Sequence, residues 1–389
     1  MKRLALCLSL ILAACRHAAT PQQESQKAGA EWAVDPHNPG PDAPPEGRSL
    51  FDQLAPDPLP YPFEDLLATL NRRIGGGVQP KRVLIPLGRS LQRSAGAPDF
   101  FRYPRAVAAY DTNSSRTFVK DRLYLGYHEK AGVIEIISYN EDAGRFEFQL
   151  VENYRDGTTS HRIHAPRRVC TACHQNQAPL FPVQLWDETN SNPRIFQLLS
   201  LQGREYYGYP ISQSADVPYQ IDLAVHRANE LSVYQLLWRK AGPATRMLAL
   251  KAALRCRLSG KCQAPELAES VAALWRANWP NGLRVPNPEI PNRNPLAILS
   301  REGPTDPHGA TEFLAERQKN IDAPFEPAAL REPLMIWHGT QEDADRWVHG
   351  LAGFFSDADA ARLANRPLRN LPVDAETFRR SDILRAAGL

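Results

Sequence analysis

The stretch LYLGYHEKAGVIEIISYNEDAGRFEFQLV, residues 123–151, decides the fold class of this chain. Leu125 and Tyr127 lie on one face of its first run, and Phe146 and Phe148 lie on one face of its last run. Two loops that contain glycine separate three such runs. Alternation with a period of two, broken by glycine-containing loops, predicts a three-stranded antiparallel meander.

Outward from this stretch, segments 81–86 and 105–111 are candidates for further strands, and helical periodicity dominates the second half. Before the meander we expect helices at Ser49–Leu54 and Phe63–Ile74. After it we expect helices at Leu223–Lys240, Pro243–Leu258, Pro265–Ala277, Gln341–Gly350, Ala358–Ala364 and Ala375–Ala386. Residues 279–309, rich in Pro and Asn, are expected to form a long irregular loop. The fold class is therefore α+β, with a β-rich N-terminal half and a helical C-terminal half.

The first residues have the pattern of an export signal. Lys2 and Arg3 precede an apolar run, Leu4–Ala14, that is too short to span a membrane. The run ends at Cys15 in Leu-Ala-Ala-Cys, which resembles the lipobox of bacterial lipoproteins. The resemblance implies removal of residues 1–14 and acylation of the Cys15 thiol. The alternative is an ordinary secretory signal with a chance cysteine.

The segment after the cleavage point, residues 15–47, is polar and rich in Pro, Gln and Ala, which indicates a flexible tether. In bacterial lipoproteins, an aspartate directly after the acylated cysteine retains the protein at the inner membrane. This chain has Arg16 at that position, so by resemblance the anchor is assigned to the outer membrane, facing the periplasm. The rest of the chain divides into a β-rich region (48–165), a segment around a cysteine motif (166–200) and a helical region (201–389).

Charge and cysteine content narrow the classes of protein. The formal net charge of +3 and the lack of basic runs argue against a nucleic acid partner. Of six cysteines, Cys7 would leave with the signal and Cys15 would carry lipid. The other four form two close pairs, as expected in an oxidising compartment. We predict a disulfide between Cys256 and Cys262, which bracket a short loop after a helix.

The second pair lies in Cys170-Thr171-Ala172-Cys173-His174, a C-x-x-C-H motif. Two thiols three positions apart lie about one helical turn apart, so both can reach the vinyl groups of one haem, and the following imidazole can reach the iron. Two alternatives stay open. The cysteines could form a plain disulfide, or they could bind zinc together with His161 and His164 just upstream.

Over this window the chain resembles the c-type cytochromes. The resemblance implies one haem c bound covalently by Cys170 and Cys173, with His174 as the proximal iron ligand. In the compact members of the family, a backbone carbonyl after the motif accepts the ring N–H of this histidine. Here the run that begins at Ala178-Pro179-Leu180 follows His174 by only four residues, and it could supply that carbonyl or serve a different purpose.

The ligand on the other side of the iron is not decided by the sequence. Met335 and His338 lie one turn apart in an apolar segment and are the candidate distal ligands, whereas Met247 lies in a helix with core character. His128, His161 and His164 stay open, as does an open site. We expect the haem to be held where the strands give way to the helices, between the two halves of the chain.

The preferred function at this point is that of a membrane-anchored periplasmic haem protein that transfers electrons to or from an unidentified redox partner. One alternative is a peroxidase-like enzyme or sensor with an open distal site. Another is a haem-free structural lipoprotein whose cysteines only cross-link loops. A single-haem carrier needs only about 100 residues, so the length of the chain implies an additional partner surface or substrate pocket.

Overall fold

The structure is a computed structural model, and no described helix combines the length and apolarity needed to cross a membrane. It describes residues 29–75, 77–110, 120–182, 188–202, 205–211, 216–290, 296, 330–366 and 372–389. The predicted signal peptide, Cys15 and the first part of the predicted tether lie outside these residues.

The N-terminal half contains a short strand, two helices and then a series of strands that ends at the cysteine motif. Its elements are β1 (Glu31–Trp32), α1 (Leu50–Leu54), α2 (Phe63–Ile74), β2 (Lys81–Ile85), β3 (Arg105–Ala109), β4 (Leu123–His128), β5 (Val133–Asn140), β6 (Arg145–Glu152), β7 (His161–His164) and α3 (Arg167–Cys173).

The C-terminal half is mainly helical, with short strands between its helices. Its elements are β8 (Phe181–Pro182), α4 (Pro193–Ser200), α5 (Asp216–Lys240), α6 (Pro243–Ser259), a 3₁₀ turn (Pro265–Leu267), α7 (Ala268–Asn278), β9 (Leu283–Val285), β10 (Glu289–Ile290), β11 (Met335–Trp337), α8 (Gln341–Ala352), α9 (Asp357–Ala364) and α10 (Arg380–Ala386).

Strands β2 to β7 form one six-stranded sheet in chain order, and every neighbouring pair is antiparallel. The predicted meander is β4, β5 and β6, and the α+β class is confirmed. The turn between β4 and β5 has Gly132 at φ +64°, a conformation that favours glycine. The register pairs Gly126 of β4 with Glu135 of β5.

The two faces of the sheet are covered by different parts of the chain. One face packs on α1 and α2, where Leu125, Ile134 and Ile136 meet Phe51 and Phe63 in one buried core. Ser49 caps α1 and forms a capping box with Asp52, which positions that helix on the sheet.

The opposite face of the sheet joins the core of the helical half. Val83, Tyr139 and Phe146 of the sheet belong to the same core as Val225 of α5 and Trp347 of α8. Within the helical half, α8 packs against α6 and α5. Strand β7 is the edge strand of the sheet, and α3 follows it directly. The cysteine motif on α3 therefore lies at the edge of the sheet, beside the face that meets the helices.

Three helix predictions and the predicted loop need correction. The last helix begins at Arg380 rather than at Ala375, because the residues before it use their backbone groups elsewhere: the carbonyl of Ala375 accepts from Trp238 Nε1 and the N–H of Phe378 donates to Gln235. The helix predicted to begin at Leu223 begins about two turns earlier, at Asp216, and Pro265–Leu267 is a 3₁₀ turn before α7.

The predicted irregular loop at 279–309 contains two short strands, β9 and β10, in its described part. Leu283 and Val285 are fully buried, and β9 pairs with β1 on one side and with β11 on the other. The strand partners come from both ends of the chain, so local sequence could not reveal them. The rest of that segment, apart from residue 296, lies outside the described residues.

Candidate functional site

Helix α3 carries both cysteines of the motif, and it is fixed to the sheet by one buried arginine. The Arg167 side chain has no exposed surface; it donates to the carbonyls of Phe146 (2.7 Å) and Pro39 (2.6 Å) and lies 3.6 Å from a carboxylate oxygen of Glu147. This contact holds the helix against β6. Cys170 and Cys173 are both free thiols and are half-buried.

His174 ends helix α3 and has one ring nitrogen engaged. Its Nδ1 lies 2.8 Å from the carbonyl oxygen of Ala178, which can only accept, so Nδ1 carries the proton and Nε2 is left with a lone pair. Burial lowers the pKa of His174 to about 4, which keeps the ring neutral. The ring packs on Phe148 with 5.3 Å between centroids. A neutral imidazole with a fixed tautomer is the form that binds a metal.

The loop after His174 is built to present that carbonyl. Gln177 adopts a left-handed conformation with φ 52°, and its side chain donates to the carbonyl of Asn38. Asn176 is fully buried and bridges the carbonyl of Pro179 to Asn229 of α5. These bonds close the chain tightly enough to bring Ala178 back over the imidazole only four residues later.

A cavity of about 250 Å³ lies beside the motif, between the sheet and α5. Its walls are mostly apolar: Val107 and Ile137 from the sheet, Leu180 and Phe181 from the loop, and Val225 from α5. Cys170, Cys173 and His174 all line it as well. Both halves of the chain therefore contribute to the cavity, as expected for a site at their junction.

One wall of this cavity is polar, and a further ion pair, Arg89 with Glu188, also lines the cavity. Arg105 of β3 and Glu135 of β5 both line it and form an ion pair with 2.5 Å between Arg105 Nη2 and Glu135 Oε2. His128 Nε2 lies 3.4 Å from the same oxygen. Burial by itself would raise the pKa of Glu135, but the charge of Arg105 and the contact with His128 outweigh burial and lower the pKa to about 2. Glu135 is therefore ionised at neutral pH.

A second arginine, Arg331, lies close enough to Cys173 and His174 for its charge to act on their pKa values. Its Nε donates to the carbonyl of Asn287, whereas Nη1 and Nη2 are buried and have no hydrogen-bond partner among the residues that the structure describes. Burial lowers the pKa of Arg331 to about 10. A buried guanidinium with two unsatisfied nitrogens is costly without an anionic partner.

These features fit the haem that the motif implies. Two free thiols stand on one helical turn, a neutral imidazole offers its Nε2, and an apolar cavity adjoins all three. The carboxylates of a haem would supply an anion of the kind that Arg331 lacks. Burial raises the pKa of Cys170 to about 11 and also raises that of Cys173, so both thiols are protonated at neutral pH.

Several predicted site residues lie elsewhere. Met335 and His338 are not among the residues that line the cavity: Met335 pairs with Val285 in β11 and its sulfur accepts from Arg346, while His338 lies against Gly282. Neither candidate distal ligand is therefore part of the cavity lining.

The zinc alternative is not supported by the placement of its histidines. On β7, the exposed His161 pairs with Glu152 and His164 pairs with Gln149, positions of opposite parity, so the two side chains project from opposite faces of the strand. Among the residues that the structure describes, no three His, Cys, Asp or Glu side chains are grouped to hold a metal ion.

Cys256 and Cys262 form the predicted disulfide, with Cα atoms 4.4 Å apart. The residue that allows this is Gly260, which ends α6 in the left-handed conformation and turns the chain back.

Sequence reasoning missed Arg105, Glu135 and Arg331. Gly126 was an available signal, because a glycine in the middle of a strand often marks the close approach of another group.

No protein-family model matches the chain, and neither a curated protein nor a solved structure shows significant similarity to it.

Proposed function

We propose that this protein is a lipid-anchored protein of the bacterial cell envelope that carries one covalently bound haem c. Cys170 and Cys173 would each form a thioether with one vinyl group, and His174 Nε2 would bind the iron. Each thioether forms by addition of S–H across a C=C bond, so that sulfur bonds to one carbon and the proton goes to the other. The haem supplies redox or ligand-binding chemistry when bound.

The observation that carries this proposal is the contact between His174 Nδ1 and the carbonyl of Ala178. A disulfide between Cys170 and Cys173 would need no oriented imidazole. A proximal haem ligand needs its far ring nitrogen held by an acceptor, because that contact sets the tautomer and the direction of Nε2. The buried, unsatisfied guanidinium of Arg331 adds support, since haem brings anionic carboxylates.

Haem attachment can be tested directly. We expect the wild-type protein, expressed with a cytochrome c maturation system, to retain haem peroxidase stain after denaturing electrophoresis. Cys170→Ala with Cys173→Ala should remove the stain entirely. Cys256→Ala with Cys262→Ala is the matched control and should keep it. An unstained wild type would refute the proposal.

Lipid anchoring rests on the motif at Cys15 and needs its own experiment. Cys15→Ser should abolish labelling with a radioactive fatty acid and leave an uncleaved precursor or a released protein, because the acylated thiol is the anchor. Cys7→Ser, a neighbouring cysteine within the signal, is the control and should label normally. Equal labelling of Cys15→Ser and wild type would contradict the anchor.

With haem bound, two functions are candidates. Electron transfer to a redox partner is the simpler one. A haem enzyme or sensor that binds a small ligand is the second, and one observation favours it: among the described residues that line the cavity, His174 is the sole histidine and none is a methionine. Visible titration of the ferrous protein with carbon monoxide separates the two functions, since an iron with two protein ligands resists the gas.

A further inference from the structure

The polar wall of the cavity, formed by Arg105 and Glu135, is supported by several neighbouring groups. We infer that Arg105, held in place by Glu135, forms a binding site for a small anionic ligand in the cavity where His174 would hold the haem iron. This inference rests on the proposed function, because it assigns a ligand class to the same haem site. The ligand class is that of compact anions with strong acceptor atoms, such as fluoride, azide or a peroxide anion.

The backbone makes room for Arg105 at a cost to the sheet. A Cβ on Gly126 would lie 2.7 Å from Arg105 Nε and 2.8 Å from Cζ, so the guanidinium lies flat over the one strand position that has no side chain. Glycine within a strand lowers stability relative to alanine by roughly 0.5–1 kcal/mol. Glycine at position 126 therefore leaves space for the Arg105 side chain, although it makes the strand itself less stable.

The arginine keeps hydrogen-bonding capacity for a ligand. Nη2 pairs with Glu135, whereas Nε is buried and has no hydrogen-bond partner within the described part of the chain. Glu135 is anchored by two basic neighbours, Arg105 and His128, so it fixes the guanidinium in one orientation. An oriented donor with a positive charge and an unsatisfied N–H is suited to an anion that arrives from the cavity.

The rest of the cavity favours a small ligand. Val107, Ile137 and Val225 line it with apolar side chains, which cannot solvate the charged ends of a large polar substrate. The other charged side chains on the lining, Arg89 and Glu188, form an ion pair with 2.6 Å between Arg89 Nε and Glu188 Oε1. Arg105 and Glu135 line the same cavity as His174. A compact anion in this cavity could therefore contact both Arg105 and an iron bound to His174, whereas a neutral ligand would gain little from the arginine.

The experiment compares one anionic and one neutral ligand. Ferric protein is titrated with fluoride and ferrous protein with carbon monoxide, both followed by visible absorbance. Arg105→Met should weaken fluoride binding about 10- to 100-fold, the range for losing a hydrogen bond to a charged group. Carbon monoxide affinity should change less than about two-fold, because the neutral gas does not need the charge.

Arg82→Met is the matched control: Arg82 lies on neighbouring strand β2 and stacks on Tyr209, on the face away from the cavity. It should leave both affinities unchanged. Arg105→Lys, which keeps the charge, should bind fluoride with intermediate affinity, and it serves if Arg105→Met does not fold.

Three results would overturn the inference. Equal weakening of fluoride and carbon monoxide would reveal a purely structural role for Arg105. A haem-bearing wild type that binds neither ligand would have two protein ligands on the iron, which would leave the proposed haem intact and favour electron transfer. A wild type without haem absorbance would refute the proposed function itself, and the inference with it.

Discussion

The two faces of the central sheet come from alternate residues of the same strands. Both pack against helices, but only one of them also lines the cavity beside the cysteine motif with charged side chains. On the face toward α1 and α2, Ile134 and Ile136 are buried in a continuous apolar core. On the other face the intervening residues, Glu135 and Ile137, line a cavity. Because successive residues of a strand point to opposite faces, the sheet has a stabilising surface on one side and a candidate binding surface on the other.

The polar groups of the two faces differ in the same way. On the helix-covered face, Ser138 accepts from the N–H of Phe51, and Gln149 donates to Asp52, so polar side chains there anchor α1. On the cavity face, Arg105 retains a buried donor without a partner. Polar side chains on the first face hold a helix in place, whereas Arg105 lines a cavity that can admit a ligand.

The largest effect should come from removing an aromatic ring on the helix-covered face. Phe63 is 1% exposed and stacks on Tyr127 at 4.7 Å, so Phe63→Ala should lower the free energy of unfolding by about 3–5 kcal/mol. Phe148→Ala, beside the cavity, should cost less, because part of its surroundings is already empty, but it should alter the Soret band through His174. Urea unfolding and visible spectra measure both. A larger spectral change in Phe63→Ala would contradict the division of roles.

A smaller effect should follow pH on the cavity face. Because the pKa of Glu135 is about 2 in the folded protein against an ordinary 4.5, its charge stabilises the fold above about pH 4.5. That contribution, on the order of 3 kcal/mol, is lost as pH falls from 4.5 through 2. Glu135→Gln should flatten the fall in stability over this window. Glu152→Gln, exposed at the end of β6, should not, and equal curves for wild type and Glu135→Gln would exclude the ion pair as the cause.

A still smaller effect should follow substitution of the glycine beneath Arg105. Gly126→Ala should destabilise the protein by about 1 kcal/mol, because the new methyl group displaces the guanidinium from Glu135. In the background of Arg105→Met the same change should be neutral or stabilising, as expected for alanine in a strand. A double-mutant cycle in urea measures this coupling. Equal costs in both backgrounds would show that Gly126 has a role unrelated to Arg105.

The smallest effect should be found at the edge strand. His161→Ala with His164→Ala should leave haem stain and metal content unchanged, since the two side chains project from opposite faces of β7. Heme stain together with elemental analysis for iron and zinc provides the check. Loss of bound zinc in the double variant would revive the zinc alternative.

The sequence predicted those features that depend on neighbours along the chain. The period of two in 123–151 gave the meander, and the helix Phe63–Ile74 has the predicted limits because Gly75 stops it. The disulfide between Cys256 and Cys262 also depends on one local turn. The motif at 170–174 predicts a haem site for the same reason, since its spacing is that of one helical turn.

Tertiary structure alone decided what surrounds the motif. Arg105, Gly126 and Glu135 meet only through the register of three strands, and a shift of one residue would turn them to the other face. Arg331 reaches Cys173 from a segment distant in sequence. Met335 pairs with β9, and neither Met335 nor His338 is among the residues that line the cavity. Patterns in sequence report periodicity and local geometry. Which charges face one cavity depends on strand register and packing between segments far apart in the chain, and no local pattern encodes these.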